Sequence, residues 1–213
     1  MIKIENIEVY GWEAAIRGMR NPMNSWDKSD SKWDGLGEYD GYSIGSNDLA
    51  LMKNLVNVGS DHSKFMRMIT VTMDITAPLY WWKEYDTYKI GTIANSCSTM
   101  HKIHAKEFTL DDFSHEHLLP DEATSFMEHL VDGLNFYRHK YLETKDKTYW
   151  WQIIQLLPSS YNQRRTVQLN YAVLRNIYHA RRNHKLTEWH TLCDIIRTLP
   201  YSELITGEDK NND

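Results

Sequence analysis

The sequence predicts an α+β fold, a small central β-sheet with helices packed around it. Two observations carry that expectation. Alternating or β-branched runs lie in the first half, at residues 1–10 and Phe65–Ile75, and amphipathic helical runs fill the second half from Pro120 onward. A third observation sets the organisation: no internal repeat and no linker divides the 213 residues. Residues 1–206 therefore read as a single domain, and 207–213 as a polar tail expected to be disordered.

In chain order, Ile2, Ile4, Ile7 and Val9 alternate with one irregular step and read as an N-terminal strand. Trp12 to Met19 suits a short helix. Arg20 to Ser46 is rich in Asp, Gly, Ser and Asn, the signature of a long loop of the kind that often carries function. Asn47 or Asp48 can cap a helix running to about Val58, with Leu51, Leu55 and Val58 on one face and Gly59 as its stop. Phe65–Ile75 reads as a strand, and Ala77-Pro78 opens a helix over 79–89, since proline is tolerated in a first turn. Residues 91–101 are small and polar and read as extended or looped. Thr109-Leu110-Asp111 starts a short piece. Pro120–Thr144 and Tyr149–Leu157 read as helices, the second stopped by Pro158. Asn162–Asn183 reads as one long helix and Leu186–Thr198 as the last, ended near Pro200.

Composition narrows the function classes. Hydrophobic residues make up 41% and charged residues 25%, an ordinary soluble balance. The net charge of -5 argues against a polymeric nucleic-acid binder and leaves room for one nucleotide, whose phosphate needs only a local basic pocket. Cys97 and Cys193 imply neither a disulfide framework nor a metal spacing. The first five residues lack an apolar signal core, and no apolar run approaches the roughly 20 residues that span a bilayer. A reduced, cytoplasmic setting without a membrane partner is expected. His101 and His104, one helical turn apart, and His115-Glu116-His117 complete no known ligand spacing, so no metal is expected. The doublets Trp81-Trp82 and Trp150-Trp151 either fill the core and interfaces or offer a stacking surface for a flat ring. Arg164-Arg165 and Arg181-Arg182 either receive phosphates or form solvated basic faces.

Leu157-Pro158, Tyr161, Asn170, Asn176 and Arg181 stand in a pattern that resembles the flavin-dependent thymidylate synthases. In that family a Leu-Pro is followed by a Tyr-Thr pair, an Asn, an Asn-x-x-x-x-Arg ending and an Ala-Gln-x-Glu helix start. Asn176 to Arg181 keeps its spacing without a gap, and Thr187-Glu188-Trp189 lies one residue off the helix start. His184 likewise stands one place from a histidine that several members carry. Upstream, Gly59-Ser60-Asp61-His62-Ser63 resembles the family's Gly-His-x-Ser/Thr-Pro-Phe turn. Ala77-Pro78-Leu79-Tyr80 resembles its Ala-Pro helix start, and Asn95-Ser96-Cys97-Ser98 its Asn-Glu-x-Ser segment. The pieces cover residues 48–101 and 156–200 in the family's order.

The signature itself departs. The family carries Arg-His-Arg, seven residues, then Ser. Counting back from Ser98 puts Tyr88-Lys89-Ile90 at the triplet, and counting forward from Ala77-Pro78 puts Thr87-Tyr88-Lys89 there. Either register keeps Lys89 as the only cation. The arginine after the serine is Met100, the glutamate after Asn95 is Ser96, and the arginine before the Leu-Pro is Ile154. These positions are expected to hold phosphates, where lysine does not copy bidentate arginine.

The resemblance implies FAD as cofactor, with His62, Lys89, Asn95, Asn170 and Asn176 in contact with it. It also implies a pyrimidine deoxynucleotide held by Arg181, a reduced folate as methyl donor for dUMP methylation, and a homotetramer. In the catalytic role Arg181 would polarise a uracil carbonyl and stabilise enolate-like charge. The other account is an arginine favoured by the dipole at a helix C-terminus. Ser98 corresponds to the signature serine. It has no obvious neighbouring base and reads otherwise as an ordinary hydrogen-bonding serine. On a continuous helix Asn170 and Arg181, eleven residues apart, would share a face. Two functions follow: a flavin- and deoxyuridylate-binding enzyme of the thymidylate synthase type, or a non-catalytic nucleotide-binding or protein-interaction module on the same scaffold.

Overall fold

The computed structural model describes residues 2–35 and 41–207. The centre of the expected 20–46 loop, 36–40, and the tail from 208 lie outside the described residues.

Strand β1 (Lys3–Tyr10) carries its irregular step at Asn6, which has φ 52° and donates to Asp74 at 2.8 Å. Asparagine visits the left-handed region more readily than most residues, and the step moves the apolar positions from Ile2 and Ile4 to Ile7 and Val9. Helix α1 (Trp12–Arg20) follows. The stretch read as loop contains a short antiparallel pair, β2 (Lys32–Trp33) and β3 (Tyr42–Ser43).

Helix α2 (Ser46–Val58) begins after Gly45, so the expected cap by Asn47 or Asp48 is corrected. The capping oxygens come from Asp30, which accepts from the Asn47 and Asp48 amides at 2.9 and 3.1 Å. Glycine at 45 permits this approach, because a Cβ there would fall 2.1 Å from the Asp30 Cγ. Asp48 itself is fully buried. It accepts from Arg20 Nε, Ser29 Oγ and Ser31 Oγ, each at 2.6 Å, and from the Asp30 and Ser31 amides at 3.2 Å. This one carboxylate ties the loop to α1 and α2.

Residues Lys64–Arg67 form a 3-10 turn rather than the start of a strand, and β4 (Thr70–Pro78) runs later than expected. Its residues alternate between buried Val71, Met73, Ile75 and Ala77 and half-buried neighbours. Pro78 ends the strand and precedes α3 (Leu79–Tyr85), which stops short of residue 89. Strand β5 (Ile93–Ser96) lies in the segment read as extended or looped. Thr109 and Asp112 form a capping box around a 3-10 turn. Helices α4 (Glu122–Thr144) and α5 (Lys147–Leu156) follow as expected, α5 capped by Asp146.

The main correction concerns residues 162–183. They do not form one helix: Asn162–Asn170 is strand β6 and Tyr171–Arg181 is α6. Gln163, Val167 and Leu169 are buried while Arg164, Thr166 and Gln168 are exposed, a period of two. From Tyr171 the buried positions become 171, 174, 177 and 178, a helical spacing. Helices α7 (Thr187–Thr198) and α8 (Glu203–Thr206) close the described chain.

The four longer strands form one sheet in the order β1-β4-β6-β5. The chain packs as two compact units. The first comprises residues 2–3, 75–87 and 95–166, and the second the described residues of 4–74, 88–94 and 167–207. In the first, Ile103, Phe108, Phe113, Met127, Val131, Leu134 and Ile153 form an apolar cluster under α4 and α5. In the second, α6 packs against α7 and α8, and α1 against the Lys64–Arg67 turn. No helix among the described residues is long and apolar enough to cross a membrane.

Candidate functional site

In the second unit, four of the residues singled out from sequence gather on α6 and the segment beside it. Asn170 is the N-cap of α6, and its Oδ1 accepts from the Val173 amide at 3.1 Å. Asn176 is exposed on the helix, and Arg181 is its last residue. The expectation placed both on one continuous helix; Asn170 is instead the extended cap residue, at φ -128° and ψ 168°, so it lies outside the helix whose far end Arg181 occupies, about 16 Å away at 1.5 Å per residue.

Residues 88–94 touch the helix at both ends. Gly91, at φ 79°, comes so close that a Cβ would lie 3.1 Å from Asn170 Nδ2 and 3.2 Å from a Val173 methyl. At the other end the Tyr88 hydroxyl accepts from Arg181 Nε at 2.9 Å. The Arg181 guanidinium also sits 4.8 Å from the ring centroid of buried Trp189 and 5.6 Å from that of Tyr88. The two rings meet edge to face at 6.0 Å. Between the anchors, Lys89 and Ile90 are exposed. His184 also packs against Trp189, ring centroids 6.2 Å apart, and its Nδ1 accepts from the Leu186 amide, closing the turn into α7. His62, in the same unit, stands in the exposed turn after α2, where its amide donates to the Gly59 carbonyl.

In the first unit, Asn95 lies exposed on β5 and Ser98 follows it. The Ser98 oxygen accepts from the Met100 and His101 amides at 3.1 and 2.9 Å, which makes it the pivot of a turn. Arg165 is not part of a solvated basic face. Its guanidinium lies 4.2 Å from the Trp82 ring centroid, its Nη1 donates to Asp86 at 2.8 Å and its Nε to Gln163 at 3.0 Å. Gln163 in turn donates to the Cys97 carbonyl at 2.7 Å and accepts through its own carbonyl from Trp82 Nε1 at 2.9 Å. The Trp81-Trp82 doublet is thus core, while Trp151 is 51% exposed. His104 packs against Tyr141, and burial, then Lys102, holds its pKa below the usual histidine value. His115 and Glu116 bond to their own turn.

Tyr88 and Trp189 are the residues that sequence reasoning missed. Tyr88 counted there only as a lost cation, and the one available signal was Trp189 lying eight residues beyond Arg181.

No protein-family model matches this sequence, and no curated protein matches it. Solved structures do match the fold. Thymidylate synthase X (ThyX) from Helicobacter pylori, solved with FAD and dUMP, superposes with a TM-score of 0.70 at 16% identity, over 97% of this chain and 98% of that one. A second structure of the flavin-dependent thymidylate synthase ThyX from that organism, also complexed with FAD and dUMP, gives 0.68 at 16% identity over 95% and 99%. The UMP/dUMP methylase PolB from Streptomyces cacaoi, bound with 5-Br dUMP, gives 0.56 at 12% identity over 84% and 76%. The chain has the fold of the flavin-dependent thymidylate synthases.

Proposed function

We propose that this protein binds a pyrimidine deoxynucleotide, with Arg181 as the principal polar anchor. The observation that carries this is the placement of Arg181: an arginine at the end of α6, oriented by a hydrogen bond and two aromatic rings. The motif spacing and the shared fold, which in three solved structures accompanies dUMP or its bromo analogue, support the same reading. A planar guanidinium held in a fixed plane can aim its N–H donors at a uracil carbonyl oxygen, and a lysine has no equivalent geometry. Arg181→Lys is expected to weaken deoxyuridylate binding at least about tenfold, or about 1.4 kcal/mol, while losing the Tyr88 hydrogen bond and the ring contacts lowers the melting temperature by only a few degrees. Isothermal calorimetry on the two proteins tests this. Equal affinities, or a wild type that binds no deoxyuridylate, would return Arg181 to the simpler part of a helix-end cation.

The residues answer to FAD in part, within the second unit alone: Lys89 is exposed and offers one cation to a diphosphate, and Asn176 is exposed on α6. The Asn170 carboxamide oxygen is already engaged by α6. We therefore propose that flavin binding is weak. Each missing charge-assisted bond removes about 1.5–3 kcal/mol. Fluorescence titration with FAD should give half-saturation above about 10 µM, less than 7 kcal/mol of binding. Stoichiometric quenching at sub-micromolar protein would show that other cations hold the diphosphate. The non-catalytic nucleotide-binding module is favoured by one specific observation, that the Ser98 oxygen is committed to its turn.

A further inference from the structure

We infer that Tyr88 is a positioning residue for nucleotide recognition, acting through Arg181; this rests on the reading above. An arginine side chain has four rotatable bonds between its backbone and its guanidinium, so an arginine that is to recognise a planar edge must be held in place. A hydrogen bond and a buried ring help to hold this one. The Tyr88 hydroxyl accepts the Nε–H, which fixes the direction of the inner edge of the guanidinium. The Trp189 ring, fully buried, supports the guanidinium at 4.8 Å.

Tyr88 is itself fixed from two directions. Its ring meets that of Trp189 edge to face, and three residues later Gly91 packs closely against the first turn of α6, where a Cβ would stand 3.1 Å from Asn170 Nδ2 and 3.2 Å from a Val173 methyl. The clamp therefore does not depend on a freely moving loop. The same helix supplies the arginine and the surface on which the tyrosine's segment rests. Disturbing the Gly91 contact would move the hydroxyl that aims Arg181.

The test is a double-mutant cycle read by deoxyuridylate calorimetry. Tyr88→Phe removes one oxygen and keeps the ring. It is expected to weaken binding about tenfold, the effect of losing one hydrogen bond to a charged group. Lysine has no Nε–H, so in the Arg181→Lys background the same change should cost less than about twofold. A tyrosine with a merely structural role would instead give additive losses and a lower melting temperature in both backgrounds. Additive losses, or wild-type affinity in Tyr88→Phe, overturn the proposal. A ligand-free readout separates this from failure of the nucleotide reading. The arginine Nε–H resonance that Arg181→Lys removes should exchange with solvent at least about tenfold faster in Tyr88→Phe. If wild type binds no deoxyuridylate, the nucleotide reading and with it Tyr88's part in recognition fall, and the resonance alone reports whether Tyr88 holds the arginine. Unchanged exchange overturns the clamp itself.

Discussion

Asp48→Ala is expected to destabilise the protein by about 3–5 kcal/mol, the usual cost of breaking a buried ion pair by removing one partner. For a chain of this length that corresponds to a fall in melting temperature of about 6–20 °C. The size follows from what the carboxylate holds. Arg20 has a side chain only 5% exposed and would be left without its 2.6 Å partner. Two serine hydroxyls and two backbone amides would lose their acceptor in the same change. Asp48→Asn should do nearly as badly, because it places an amide donor among donors. Replacing Arg20 and Asp48 together by apolar residues should recover only part of the loss, since the serines and amides remain. The pH dependence has a definite sign. Burial pushes the Asp48 pKa up, but hydrogen bonds from Ser29 and Ser31, then from Arg20, outweigh it and leave the pKa below the ordinary aspartate value. A lowered folded-state pKa gives stability that is complete above the unfolded value and is lost as pH falls through the folded one. The gap between wild type and Asp48→Ala in calorimetric melts should therefore be constant near neutrality and shrink below about pH 4. A constant gap down to pH 2 would mean that the charge of Asp48 contributes nothing.

Trp82→Ala should cost about as much, about 3–5 kcal/mol, by a different mechanism. Trp82 is fully buried, with Trp81 at 4.9 Å and Tyr85 at 5.2 Å, both edge to face. Removing the indole leaves a cavity, and it also removes the donor to the Gln163 carbonyl and the ring beneath Arg165. Trp82→Phe separates these contributions. It keeps most of the apolar volume and loses the donor, so about 1–3 kcal/mol is expected. Urea denaturation followed by circular dichroism distinguishes the two variants. Equal midpoints for Phe and Ala would place the whole effect in the hydrogen bond and none in packing.

The fold class was legible because most elements follow local rules. The alternation of β1, even its broken step at Asn6, the amphipathic helices α4, α5 and α7, and the stops at Gly59 and Pro158 all lie in nearest-neighbour patterns. Strand β6 did not, for a physical reason. Its inward positions include Gln163 and Arg165, polar residues accepted there because Cys97, Asp86 and Trp82 satisfy them. Without those distant partners the alternation looks broken, and Val167, Tyr171, Leu174 and Tyr178 mimic a continuous helix. The same non-locality hid the site. The Arg181 position was readable from motif spacing, but its partners Tyr88 and Trp189 come from other segments. Asp48 looked like a helix cap because its role depends on Arg20, 28 residues away.

The acceptor that starts α2 has a consequence for how the chain folds. A helix normally carries its own cap, so its first turn can form from neighbouring residues. Here Gly45 supplies no side-chain oxygen, and the oxygens arrive from Asp30, 17 residues before the Asn47 amide they receive. Bringing those two points together costs about 2.5 kcal/mol in loop closure on the logarithmic scaling, beyond the cost of helix nucleation itself. The beginning of α2 therefore cannot serve as an early, local nucleus. Its cap is completed only when the Asp30 carboxylate reaches the Asn47 and Asp48 amides, a contact across 17 residues rather than within one turn.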